Sequence, residues 1–144
     1  MKSDTDWIQR CGALARAAAA KGESPVGALI VKNRVLISEA MESVKSNNDI
    51  TCHAEIEAIR LAIARLSTND LSDCILYTTH EPCLMCSYAI RFHKIKKLVY
   101  QHAVKYLGGV SSSMPLLTTD DVPPHWGPAP VIIHPANRKE QPAS

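Results

Sequence analysis

Short apolar, β-branched runs alternate with helical patterns along this chain, and that alternation limits its fold more than any other feature. Residues 26–31 and 35–37 are two such runs, parted by Lys32, Asn33 and Arg34, the pattern of a strand hairpin. The strand signal returns at 74–79, 97–101 and 131–133. Between these runs stand the helices. The first covers 6–21, with Trp7, Ile8, Cys11, Leu14, Ala15 and Ala18 as its apolar side and Gly22 as its stop. A second covers about 52–66, where Ile56, Ile59, Ile63 and Leu66 recur at helical spacing as the expected buried stripe and Arg60 and Arg65 face water. A third opens at Pro82, a residue tolerated in a first helical turn, and ends near His93. Strands alternating with helices predict an α/β layered fold.

The 144 residues suffice for one domain with its own core. We expect that domain to span 1–136, with a polar, frayed tail at 137–144. The segment 43–51 reads as a polar loop, and the prolines of 108–130 forbid regular helix there. With 46% hydrophobic and 21% charged residues and a net charge of +2, the composition is that of a globular protein; it neither requires nor excludes a nucleic-acid partner. No stretch approaches the ~18 apolar residues of a membrane span. The cysteines number five, an odd count, and no secretory segment is apparent, which argues against a disulfide framework and for a cytoplasmic protein.

Two of those cysteines, Cys83 and Cys86, form a Cys-x-x-Cys pair at the expected start of a helix, where free N–H groups and the helix dipole favour thiolates. His53 supplies a third ligand, and three protein ligands leave the fourth zinc position for water, as in catalytic rather than structural sites. Glu55, two positions after His53, is placed to take a proton from such a water and return it to a leaving group. A structural zinc knot, a chance meeting of buried thiols and a zinc module without turnover are the plainer alternatives. Cys52 is a poor fourth ligand, because adjacent side chains on a helix point apart. Cys11, Cys52 and Cys74 read as core or boundary residues.

His53-Ala54-Glu55 followed by Pro82-Cys83-Leu84-Met85-Cys86 is the H-x-E…P-C-x-x-C arrangement of zinc deaminases. Together with Pro25-Val26-Gly27-Ala28, Asp49-x-Thr51 and Leu76-Tyr77-Thr78-Thr79-x-Glu81, it makes the chain resemble the cytidine-deaminase-like superfamily. The resemblance is to the branch of tRNA adenosine, guanine and fungal cytosine deaminases; it spans residues 6–102 and then thins. It implies a three-layer α/β/α fold around a central mixed sheet of about five strands, with zinc at the N-termini of the two core helices. It also implies a homodimeric hydrolase of the C–N bonds of cyclic amidines. The reaction would be hydrolytic deamination of a small nucleobase, nucleoside or related amino-heterocycle, with zinc hydroxide as nucleophile and Glu55 as proton shuttle. A tRNA wobble-adenosine deaminase is the alternative.

Val26 and Ala54, in the matching blocks, are candidate substrate contacts. Glu42 is a departure: relatives generally carry a substrate-contacting asparagine eleven positions before the zinc histidine, and a carboxylate there would face substrate N–H groups rather than a carbonyl. A solvated loop glutamate is the bland reading. His80 could reach the pocket or merely be a satisfied polar residue beside it, and Trp126 could stack over a flat base or anchor its proline-rich loop. Nucleic acid is the less favoured partner. Residues 129–144 lack the basic helix with which the tRNA-editing relatives usually end, aromatics are only 5%, and the cluster of Arg91, His93, Lys94, Lys96 and Lys97 reads most simply as a solvated helix end.

Overall fold

A computed structural model describes residues 1–134 of the chain. Helix α1 (Asp4–Ala20) opens with a reciprocal cap: the Ser3 hydroxyl accepts the Asp6 N–H at 3.2 Å, and the Asp6 carboxylate accepts the Ser3 N–H at 2.8 Å. Strands β1 (Gly27–Lys32) and β2 (Val35–Met41) form the expected hairpin. Its turn residues Asn33 and Arg34 have φ of 50° and 65°, the left-handed pair whose twist suits a two-residue connection. A short helix α2 (Val44–Asn47) interrupts the expected loop and leads to α3 (Ala54–Leu66). Then follow β3 (Cys74–His80), α4 (Leu84–Phe92), β4 (Lys97–His102), a single 3₁₀ turn at Pro124–Trp126 and β5 (Val131–Ile133).

The five strands form one mixed sheet in the order β2-β1-β3-β4-β5. Strand β1 runs antiparallel to both neighbours, whereas β3, β4 and β5 are parallel. Alternate residues along a strand face opposite sides, so each central strand feeds two cores. Leu29, Val31, Tyr77 and Val99 pack with Trp7, Ile8 and Cys11 of α1. Ala28, Ile30, Leu76, Leu98 and Tyr100 meet Ala54, Ala58, Ile59 and Ala62 of α3 and Ile90 of α4 on the other face. The result is the three-layer α/β/α arrangement. Each fully buried aliphatic side chain in these layers is worth about 1.5–3 kcal/mol. Gly27 lets α1 lie on the sheet, since a Cβ there would stand 2.3 Å from the Cys11 carbonyl oxygen.

Three expectations change. The buried stripe of α3 is Ala54, Glu55, Ala58, Ile59 and Ala62, while Ile56, Ile63 and Leu66 are only half-buried; small residues let this helix approach the sheet closely. Strand β2 continues past residue 37 because its polar residues find partners, Ser38 donating to the Ala58 carbonyl at 2.7 Å and Glu39 pairing with Arg10 at 2.7 Å. Nor do the five basic residues form one solvated cluster. Arg91 is buried at 2% exposure, its Nη1 donating to the carbonyls of Leu116 and Thr119, both at 2.9 Å, and Lys97 pairs with Asp4. The expected tail at 137–144 and the domain boundary at 136 lie outside the described residues. No helix among the described residues is long and apolar enough to cross a membrane.

Candidate active site

The parallel strands β3 and β4 end together, with His80 opposite His102, and β1 begins at the same edge because it runs antiparallel to β3. Helices α3 and α4 start there too: His53 is the N-cap of α3 and Cys83 the N-cap of α4, with Cys86 in the first turn. His53 Nδ1 lies 3.5 Å from the Sγ of Cys83 and 3.5 Å from that of Cys86, and all three ligand atoms fall within 4.8 Å of one another. A tetrahedral zinc with bonds of ~2.3 Å to sulfur and ~2.0–2.1 Å to nitrogen sets neighbouring N and S atoms about 3.5–3.6 Å apart. The donor set and its spacing therefore fit that ion.

The three groups already share charge. Cys83 is held down to about 4, chiefly by its hydrogen bond with Cys86 and, against the opposing effect of burial, by that with His53. The Cys83 hydrogen bond in turn raises His53 to about 9. Cys86 moves strongly upward, through its bond to Cys83 and through burial. A thiolate facing an imidazolium at two helix N-termini is a site prepared for a cation that displaces protons.

Beside the triad opens a cavity of about 230 Å³, lined by Val26, Glu42, His53, Glu55, His80 and Cys83 among others. Glu55 is 4% exposed, and burial pushes its carboxyl up to about 7, reinforced by the charge of Cys83. Glu42 is buried as well; its Oε1 accepts the Ala54 N–H at 3.0 Å, and its own N–H donates to the Val26 carbonyl at 3.0 Å. Burial raises the Glu42 carboxyl, and the Ala54 N–H opposes that rise. A larger hollow of about 440 Å³ lies between β2 and α3, lined by Ile37, Ser38, Glu39, Leu61, Ala64 and Arg65, but no cluster of reactive groups accompanies it.

Glu81 is the residue whose work the sequence hid. Its carboxylate accepts the N–H groups of Val104, Val110 and Ser111 at 3.2, 2.9 and 2.8 Å, and the Ser111 hydroxyl at 2.8 Å. Burial pushes this carboxyl up, but the Ser111, Val110 and Val104 bonds together prevail and hold it below the usual range. Glu81 thus ties the 104–111 loop, which brings Val104 to the cavity, to the strand end that precedes Cys83. Its place in the block before Pro82 was visible, but a partner more than twenty residues downstream was not.

The structure gathers Val26, Glu42, His53, Glu55, His80, Cys83 and Cys86 at one edge of the sheet, with Ala54 engaged through its backbone. Trp126 does not join them. It is buried at 4% exposure against α4, its ring 4.6 Å from that of Tyr88 and 6.1 Å from that of Phe92, and it anchors the proline-rich loop. Cys52 turns its sulfur toward Asn47 and Arg60 rather than toward the triad. Lys97 begins β4 at its opposite end, about 17 Å from His102 at ~3.3 Å per residue, and Lys96 precedes it.

Residues 1–102 match the family model described as the cytidine and deoxycytidylate deaminase zinc-binding region. The chain is similar to the tRNA-specific adenosine deaminase of Aquifex aeolicus (strain VF5), with 48% identity over 103 residues, 72% of this chain and 68% of that one. It is also similar to the guanine deaminase of Bacillus subtilis (strain 168), with 47% identity over 76 residues; the match covers 53% of this chain and about half, 49%, of that enzyme. A solved structure from a study of A-to-I editing by tRNA:A34 deaminases superposes with a TM-score of 0.81 at 32% identity, over 90% of this chain and 97% of the other. These relatives are deaminases, and the matched region contains the three residues positioned to hold a metal ion, together with Glu55. The chain is therefore a hydrolase of C–N bonds that belongs to the cytidine and deoxycytidylate deaminase zinc-binding family.

Proposed function

We propose that the chain removes the exocyclic amine from a small amino-heterocycle: a nucleobase, a nucleoside or a related ring. The observation that carries this reading is the cavity of about 230 Å³ beside the triad, lined among the described residues by Glu42, Glu55 and Glu81 and by no lysine or arginine. Its size suits one flat ring system, and its carboxylates disfavour an anionic group inside it.

His53, Cys83 and Cys86 are assigned to the metal, Glu55 to proton transfer, and Glu42, Val26, Ala54 and His80 to the walls around the substrate. Zinc bound there would supply Lewis acidity and bring the ionisation of a water toward neutral pH. Glu55 is held in the cavity wall within the first turn of α3, where its carboxylate can accept a proton from the attacking water. It can then pass that proton to a ring nitrogen and finally to the departing amine. The ring gains a C–O bond and loses a C–N bond; one water enters and one ammonia leaves. Thiolate ligands need reducing surroundings, which supports the cytoplasmic expectation, and the family resemblance supports a homodimer.

A second reading is favoured by the similarity to the Aquifex aeolicus enzyme and by the fold match of 0.81: a deaminase of tRNA wobble adenosine. The distance of Lys96 and Lys97 from the cavity weighs against it. Ammonia release from guanine, cytosine, adenine, their nucleosides and aminotriazines, measured beside inosine formation in an anticodon stem-loop RNA, separates the two. Turnover of at least one free heterocycle is expected. Inosine in the RNA with no release from any small compound would overturn the first reading.

A further inference from the structure

The cavity holds two side chains whose hydrogen-bonding polarity is fixed by their neighbours. Glu42 is anchored twice, through its N–H on the Val26 carbonyl and through Oε1 on the Ala54 N–H, and Oε2 has no hydrogen bond among the described residues. An ionised carboxylate offers only acceptors, so this oxygen presents an acceptor.

His80 is fixed through a short relay. The Gly27 N–H donates to the Thr79 hydroxyl oxygen at 3.2 Å, and the same oxygen lies 2.9 Å from His80 Nδ1. Thr79 is buried at 6% exposure, so its hydroxyl hydrogen needs an acceptor, and Nδ1 is the one within reach. Assigning the Thr79 hydroxyl as donor to Nδ1 leaves the ring's hydrogen on Nε2, which has no partner among the described residues. His80 presents a donor.

We propose that Glu42 and His80 together read the substrate edge, and that the substrate is a phosphate-free amino-heterocycle with two features besides the departing amine. One is a second N–H, from a ring nitrogen or a further amino group, for Glu42. The other is an unprotonated ring nitrogen or carbonyl oxygen for Nε2–H of His80. Among the described residues the cavity lining holds three carboxylates and no lysine or arginine, which disfavours a phosphate at this edge. This inference rests on the deaminase reading above and deepens it.

The test is the zinc-loaded protein assayed for kcat/KM on matched pairs: each turned-over heterocycle and its analogue in which a single N–H is replaced by N–CH₃ or an amino group by hydrogen, together with the 5′-phosphate of any nucleoside substrate. For one such pair the wild type should lose about 10- to 100-fold, the worth of one hydrogen bond to a charged group. Glu42→Gln keeps a carbonyl for the Ala54 N–H but turns an NH₂ toward the substrate, so discrimination within that pair should collapse by about tenfold or more. Calorimetric binding of the deaminated product should weaken in parallel. His80→Leu should lower kcat/KM about tenfold, and His80→Gln, which keeps a donor near the Nε2 position, should restore most of it.

Zinc content equal to wild type in each variant shows that the triad is intact. Discrimination unchanged within twofold in Glu42→Gln, equal activity of His80→Leu and His80→Gln, or a 5′-phosphate used as well as its nucleoside would overturn the inference while leaving the deaminase reading standing. No ammonia from any heterocycle would overturn both.

Discussion

Replacing Glu81 by Gln tests how the cavity wall is held. The carboxylate gathers three backbone N–H groups and one hydroxyl, and it is only 2% exposed. Glutamine can keep its carbonyl at the Oε2 position, on Val110 and Ser111, but its NH₂ then faces the Val104 N–H, donor against donor. One backbone bond is lost outright, at about 1.5–3 kcal/mol for a bond to a charged acceptor. The two that remain lose their charge assistance, which roughly halves such bonds. Ser111 can rotate its hydroxyl to accept from the amide and offset part of this. The expected destabilisation is about 2–4 kcal/mol, read from urea unfolding at fixed protein and zinc concentrations, since bound metal adds its own stability. The m-value should stay the same. A shift below about 0.5 kcal/mol would refute the clamp and require water, rather than Glu81, to satisfy the 104–111 loop.

Gly27→Ala would place a Cβ 2.3 Å from the Cys11 carbonyl oxygen and 2.6 Å from the Leu14 Cβ, forcing α1 off the sheet at about 1–3 kcal/mol; an unchanged melting temperature would contradict that close approach. Arg91→Leu should free the Leu116 and Thr119 carbonyls and speed limited proteolysis within residues 108–122 severalfold, while a cleavage rate equal to wild type would show that Arg91 does not brace the loop. Glu23 accepts the backbone N–H groups of Lys45 and Ser46, and the Ser46 hydroxyl leads in lowering its carboxyl below the ordinary glutamate range. Its contribution is complete above that ordinary range and fades as the pH falls through the lower folded value. Amide exchange at Lys45 and Ser46, corrected for intrinsic rates, should therefore accelerate on acidification, and no acceleration would remove Glu23 as the anchor of α2.

Much of this architecture was legible because its signals are local. The Asn33–Arg34 turn, the apolar runs of β1 and β3, and Pro82 ahead of α4 each depend on neighbours a few residues away. The meeting of His53, Cys83 and Cys86 was legible for a different reason: cysteine and histidine at that spacing have few other uses, and the spacing predicted two helix starts that the fold brings together. What escaped the sequence was set by distant partners. Ser38 and Glu39 interrupt an apolar strand pattern, yet they lie in β2 because Ala58 and Arg10 await them. The isoleucines of α3 outweigh its alanines in any hydrophobic count, but helix-to-sheet distance favours the alanine face. Arg91 looked solvated because arginine usually is, and only the returning 116–119 segment explains its burial. Trp126 carried two readings of similar weight, and the rings of Tyr88 and Phe92 decided between them.

Metal content and ammonia release, measured side by side in wild type, Glu55→Gln, His53→Ala and Cys83→Ala, separate metal binding from proton transfer. One zinc per chain is expected in wild type and in Glu55→Gln, turnover lower by about 10²–10⁴-fold in Glu55→Gln, and loss of both zinc and turnover in His53→Ala and Cys83→Ala. Wild-type protein that takes up no zinc on reconstitution, or a Glu55→Gln protein that releases ammonia at the wild-type rate, would contradict these expectations.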